Sequence, residues 1–197
     1  VVFTLVNTNG EYMISTLVVD YAEGVADSGG LPAGESLEDY ISGIFSKFYL
    51  MVNIISACMQ LFLVSRLIRY AGFRVAFFVL PVIALIDSSL MVIAPLWAIL
   101  RIGKSVENAT DYSLNNTLRN MLWLPTTKDM KYRAKQAVDT FFVRMGDVAS
   151  ALLVAGMVGL AGLGIQVFAA VNVALCIVWL AVAWWLLRER AKMKAKH

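Results

Sequence analysis

From Val148 to Leu187 the chain runs 40 residues without an Asp, Glu, Lys or Arg. About 20 consecutive apolar residues cross the hydrocarbon core of a bilayer as a helix, so this run alone is long enough for two crossings. Phe48–Ser65 adds 18 more uncharged residues, and Val75–Leu100 contains a single charge, Asp87. In lipid every backbone polar group must be satisfied within its own segment, which leaves helices or closed barrels. Uncharged runs of this length require helices.

Composition agrees where it bears on that point. Hydrophobic residues make up 59% and charged residues 16% of the 197 residues, against about 45–50% and about 25% in soluble domains. The expected fold class is therefore an all-α integral membrane protein. Its six-helix transmembrane bundle fills 1–187, with spans at about 1–19, 45–67, 75–93, 97–122, 137–160 and 164–187.

Taken in order, the first span is interrupted by Asn7-Thr-Asn-Gly-Glu11. A glycine beside a carboxylate in mid-span marks either a weakened helix with a binding position or an acid that pairs with a base on another helix; both readings turn Glu11 inward. Residues 20–44 follow as an acidic, non-cytoplasmic loop broken by Gly24, Gly29, Gly30, Pro32 and Gly34. Asn53 and Gln60, seven apart, share one face of the second span. Arg66, Arg69 and Arg74 surround an Ala71-Gly72 turn, and Pro81 implies a kink in the third span. Gly156, Gly159, Gly162 and Gly164 would permit close helix approach near the fifth-to-sixth turn. Trp184 and Trp185 mark an interface ahead of a basic cytoplasmic tail, 188–197, that sets topology.

The fourth span departs most from its apolar surroundings. At about 100° per residue, Arg101, Lys104, Asn108, Asp111, Asn115 and Arg119 fall within an arc of roughly 80°, with Glu107 at its edge. Val106, Thr110, Leu114, Thr117 and Met121 form the milder opposite side. Such a stripe is the solvated face of an amphipathic helix in a soluble protein. Between uncharged spans, ionisable groups must face a cavity or one another. This helix is expected to line a hydrated interior.

Other chemistry finds little support. The two cysteines, Cys58 and Cys176, each lie in apolar runs, and the one histidine is the last residue, so neither a disulfide nor a metal site is expected. No nucleophile elbow or phosphate-cradling glycine loop appears, which argues against an enzyme and against a bound cofactor. Nucleic acid is not an expected partner. The basic residues around 66–74, at 128–135 and in the tail all lie on one side of a six-span chain, and the positive-inside rule makes that side, with both termini, cytoplasmic. The chain opens directly in VVFTLV without a signal-peptide pattern. It is expected to be part of a longer protein.

Several motifs are more specific. Asn7-Thr-Asn-Gly-Glu-Tyr12, Gln60-Leu-Phe-Leu-Val-Ser-Arg66, Lys104-x-x-Glu107-Asn108-x-x-Asp111-Tyr112-Ser113-x-x-Asn116-Thr117-x-Arg119, Leu124-Pro-Thr126, Lys131-Tyr-x-Ala-Lys135, Asp139 and Arg144-x-Gly-Asp147 resemble the C-terminal half of the ATP/ADP translocase family. That family comprises the nucleotide exchangers of intracellular bacteria and plastids, with a broader bacterial branch. The resemblance covers nearly the whole chain. It implies one half of a major-facilitator-like fold, two six-helix halves moving about a central cavity, in the inner membrane of a bacterium. By motif, Glu11, Lys104, Glu107, Asp111 and Arg119 would line the cavity, and Lys131, Lys135, Asp139, Arg144 and Asp147 would form a cytoplasmic gate. Trp123-Leu124 stands where the best-studied exchangers carry phenylalanine-aspartate, which places this chain nearer the broader branch.

Fixed cations in a low-dielectric cleft suit a phosphate-bearing solute. The expected substrate-binding set is thus Glu11, Arg101, Lys104, Glu107, Asn108, Asp111, Asn115 and Arg119, with Glu107 and Asp111 neutralising Lys104 when the cavity is empty. The expected function is a secondary transporter, or the C-terminal half of one, exchanging nucleotides or another anionic metabolite by alternating access. Its partners would be lipid and an N-terminal six-helix half or other membrane subunits. The alternative is a transport-inactive accessory subunit that retains the fold within a larger complex.

Overall fold

The computed structural model describes residues 1–94, 96–124, 134–159 and 164–194, without the side chains of Asp139, Met193 and Lys194. The described residues are helical apart from short connections, and no strand occurs among them. Helix α1 is Val2–Asp27, α2 is Leu37–Tyr70, α3 is Gly72–Ile93, α4 occupies 97–122, α5 is Ala134–Gly159 and α6 is Ile165–Lys194. Helices α2, α3, α5 and α6 are long and apolar enough to cross a membrane. Their outward surfaces carry Leu61, Phe62, Ile86, Leu152 and Ile177, all well exposed. That much apolar surface is stable only against lipid or another protein.

Several expected boundaries shift. Residues 20–44 were expected to be loop, yet α1 continues to Asp27 and α2 begins at Leu37, which leaves only 28–36 as connection. The start of α2 follows from a capping box: the Ser36 hydroxyl accepts from the Asp39 amide at 3.2 Å while the Asp39 carboxylate accepts from the Ser36 amide at 3.4 Å. At the other end Gly72, at φ +81°, adopts the left-handed conformation that glycine takes without strain, and the chain reverses into α3. Of the basic segment 188–197, the described part, 188–194, continues the last helix. Helix α6 runs through to Lys194, and Arg190 docks on the bundle, 3.7 Å over the Phe73 ring and donating to the Met121 carbonyl at 3.3 Å.

Helix α6 runs antiparallel to α1 and α3: Phe3 meets Trp179 and Tyr12 meets Phe168 between α1 and α6, and Phe73 meets Arg190 and Ser88 meets Asn172 between α3 and α6. Three apolar clusters follow along the bundle. Met13, Ile14, Phe48, Met91, Leu100 and Phe168 fill the end near the acidic connection. Val6, Ala84 and Cys176 form a middle plug. Val64, Ala76, Leu114 and Leu118 close the basic end.

The expected close packing at Gly156, Gly159 and Gly164 is absent: a side chain at any of them would meet nothing among the described residues. Gly162 lies outside those residues. The tight approach occurs one helix surface away, where a Cβ on Gly146 of α5 would stand 2.8 Å from the Thr4 hydroxyl oxygen of α1. Small residues permit close approach only where another helix is present, and these three glycines face outward.

Candidate functional site

Between the end cluster and the middle plug, four helices each contribute polar residues at one level: Asn7, Asn9 and Glu11 of α1, Asp87 and Ser88 of α3, Lys104, Glu107 and Asn108 of α4, and Asn172 of α6. Helical period places them there. Asn9, Asp87 and, in reverse, Asn172 each stand about one turn from a buried apolar residue of the same helix, Val6 on α1, Ala84 on α3 and Cys176 on α6. In membrane helices the apolar side faces lipid, so the inward stripe is where such residues survive.

Lys104 is the hub. Its ammonium, 0% exposed, donates to Glu107 Oε1 at 2.9 Å and Asn7 Oδ1 at 3.1 Å, and lies 4.0 Å from Glu11 Oε1. Glu11 in turn accepts from Asn108 Nδ2 at 2.9 Å and from the Tyr49 hydroxyl of α2 at 3.2 Å. The expected weakness of α1 at Gly10 does not occur, since the helix is continuous there. Gly10 instead makes room for the ammonium: a Cβ would stand 2.7 Å from Lys104 Nζ. Gly103 does the same for Asp87, whose carboxylate occupies the place a side chain at 103 would need.

The expected polar arc of α4 splits in two. Lys104, Glu107 and Asn108 are buried, but Arg101 and Arg119 are exposed, Asp111 and Asn115 are half-buried and bonded to each other at 2.6 Å, and Thr110 and Leu114 on the milder side are buried. A π-helical turn at Asp111–Asn115 adds a residue to the helix there, but Arg101 and Thr110 precede it, so the difference lies in which parts of α4 the neighbouring helices cover.

Two further π turns, Met59–Leu63 in α2 and Ala137–Phe142 in α5, border openings toward the basic end. Asn53 and Gln60 line a 370 Å³ groove opposite Tyr112, Asn116, Thr117 and Asn120. A larger cavity of 690 Å³ between α4, α5 and α6 includes Arg119, Trp123, Lys135, Glu189 and Arg190. Of the residues expected to form a gate, Lys135 donates to Asn120 Oδ1 at 3.2 Å, and Arg144 pairs with Asp147 at 3.2 Å on an exposed surface. Lys131 and the Asp139 side chain lie outside the described residues.

Sequence reasoning passed over Asp87, Asn9 and Asn172. Asp87 had a signal, as the one charge in 26 residues. Asn9 stood in the polar interruption of the first span without being assigned a role, and Asn172 had no signal, because only the packing of α1 and α6 against α3 reveals what they face.

Long apolar helices around a buried ionic layer, with cation-lined openings at one end, make this an integral membrane protein. The comparison with family models is more specific. Residues 35–191, well over half of the chain, match the TLC ATP/ADP transporter model, and the chain belongs to that family. It is a family of transporters, not of enzymes. Helix α1, which supplies Asn7 and Glu11, precedes the matched stretch. Neither the curated proteins nor the solved structures contain a match to the chain.

Proposed function

We propose that this chain is a nucleotide-exchanging secondary transporter, or the C-terminal half of one, working by alternating access. All six helices cross the membrane, and both ends lie on the cytoplasmic side, where Arg66, Arg69, Arg74, Arg119 and Arg190 gather. A second six-helix half faces the surface formed by α1, α2 and α4. The observation that carries this reading is Lys104: a wholly buried ammonium held by oxygens from two helices, in a chain of a nucleotide-transporter family. An ion at that depth is costly and is kept where it serves a pathway. Its carboxylate and amide partners on α1 are positioned to be exchanged for an anionic solute when the helices separate, which is a two-state element of the kind a transporter needs. Arg101 and Arg119 are the exposed cations available to phosphate groups along α4, and Lys131, Lys135, Asp139, Arg144 and Asp147 belong to the cytoplasmic gate.

The test is counter-exchange. The complete native protein in proteoliposomes loaded with ADP is expected to take up labelled external ATP, with little uptake when the lumen lacks nucleotide. Uptake no greater than in protein-free vesicles would refute the reading. One observation favours the alternative, a transport-inactive accessory subunit: Lys104 is already engaged by protein oxygens, as in a static ion-pair ladder. In that case Lys104→Gln would lower stability and leave any measured flux of the complex unchanged.

A further inference from the structure

The polar layer holds more acceptors than its donors can serve. Among the described residues Lys104 is the only cation in it, against the carboxylates of Glu11, Asp87 and Glu107. Asp87 lies within electrostatic range of both Glu107 and Lys104, but its Oδ1 finds no hydrogen-bond donor among the described residues. The same is true of Asn9 Oδ1 and Asn172 Oδ1. All three residues are more than nine-tenths buried. Asn9 Nδ2 donates to the Phe168 carbonyl at 2.9 Å, which can only accept and so fixes that amide, and Asn172 Nδ2 donates to the Ser88 hydroxyl at 3.1 Å. In this arrangement the carbonyl oxygens are the ends left over. Phe168 and Asn172 are one turn apart on α6, Ser88 adjoins Asp87, and the Asp87 carboxylate lies against Gly103 of α4, so the three residues belong to one level among α1, α3, α4 and α6.

Three buried, unserved oxygens beside surplus negative charge require a positive partner. Hard oxygen donors favour an alkali or alkaline-earth ion over a transition metal. Among the described residues no three acidic, histidine or cysteine side chains converge at ligand distance, which disfavours a divalent ion. A single carboxylate with two neutral amide oxygens suits one positive charge. We propose that Asp87, Asn9 and Asn172 bind one monovalent metal cation of sodium size. The ion offsets the Asp87 carboxylate and ties α1 and α6 to α3. It does not depend on the solute being a nucleotide. The other titratable groups facing the layer are Tyr49 of α2, Tyr112 of α4 and Cys176 of α6.

The experiment is thermal unfolding of the purified full-length protein, followed by tryptophan fluorescence, as NaCl replaces choline chloride at constant ionic strength. A saturable rise in Tm with Na⁺, absent with choline and weaker with K⁺, is expected. Asp87→Asn should abolish the rise, and Asn172→Ser should move its midpoint to about tenfold higher Na⁺. Equal responses to Na⁺ and choline would overturn the site, as would a Na⁺ response undiminished in Asp87→Asn. Stabilisation that follows pH and ignores Na⁺ would also overturn it, assigning the neutralising charge to a proton. If Asp87→Asn does not fold, the wild-type ion selectivity and the Asn172→Ser midpoint still decide. ADP-induced stabilisation measured in choline reads nucleotide binding separately, so the two proposals fail independently.

Discussion

The two halves of α4 carry similar residues and treat them in opposite ways. Before the π turn, Lys104 is sealed among Asn7, Glu11 and Glu107 and lies between apolar clusters. Beyond it, Arg119 is exposed beside a 690 Å³ cavity that also takes in Lys135 and Arg190. An ammonium removed from water holds its partners tightly because the interior screens little. A guanidinium at an open cavity keeps its hydration and can change partners. The first arrangement suits a latch between helices; the second suits an entry for anions.

Breaking the latch should have the largest effect. Lys104→Gln leaves Glu107 and Glu11 without their cation and is expected to cost about 3–5 kcal/mol. The double variant Lys104→Gln/Glu107→Gln should recover much of that loss in unfolding measurements in detergent. An additive double variant would show that the pair is not coupled. Next in size is Gly103→Ala, which drives a methyl group into the Asp87 carboxylate and should destabilise by about 1–3 kcal/mol. Gly10→Ala meets only the far end of the flexible Lys104 side chain, so its effect should be smaller and should vanish in a Lys104→Gln background. The smallest effects belong to the exposed end. Arg144→Gln removes an exposed pair with Asp147 and should change stability by at most about 1 kcal/mol. A loss comparable to that of Lys104→Gln would erase the distinction between the two regions. Gly156→Ala, with open space around it, should stabilise α5 by up to about 1 kcal/mol.

Much of this architecture was legible in the chain, and the failures have identifiable causes. Helix α4 begins at Trp97 and ends at Leu122 as its pattern implied, because an apolar start and an amide-rich body both suit a helix. The even burial expected along its polar arc fails at Arg101 and Arg119 because periodicity does not say which parts of a face the neighbouring helices cover. Residues 20–27 and 37–44 were taken for loop on their acidity, yet acidic residues at a helix N-terminus, such as Glu38 and Asp39, favour the helix. Glu11 approaches α4, where Asn108 donates to it at 2.9 Å and Lys104 lies 4.0 Å away. Asp87 was visible as a lone charge but not as part of the site, since its neighbour Gly103 is 16 positions away and on another helix.

By itself the order of residues determined that this chain is helical and lives in a membrane, because long uncharged runs leave the backbone no other way to satisfy its polar groups. It also determined which residues are too polar for lipid. Only the tertiary structure decided which of them meet. The relative registers of α1, α3, α4 and α6 are set by apolar packing above and below, and it is those registers that bring Asn9, Asp87, Lys104 and Asn172 to one level.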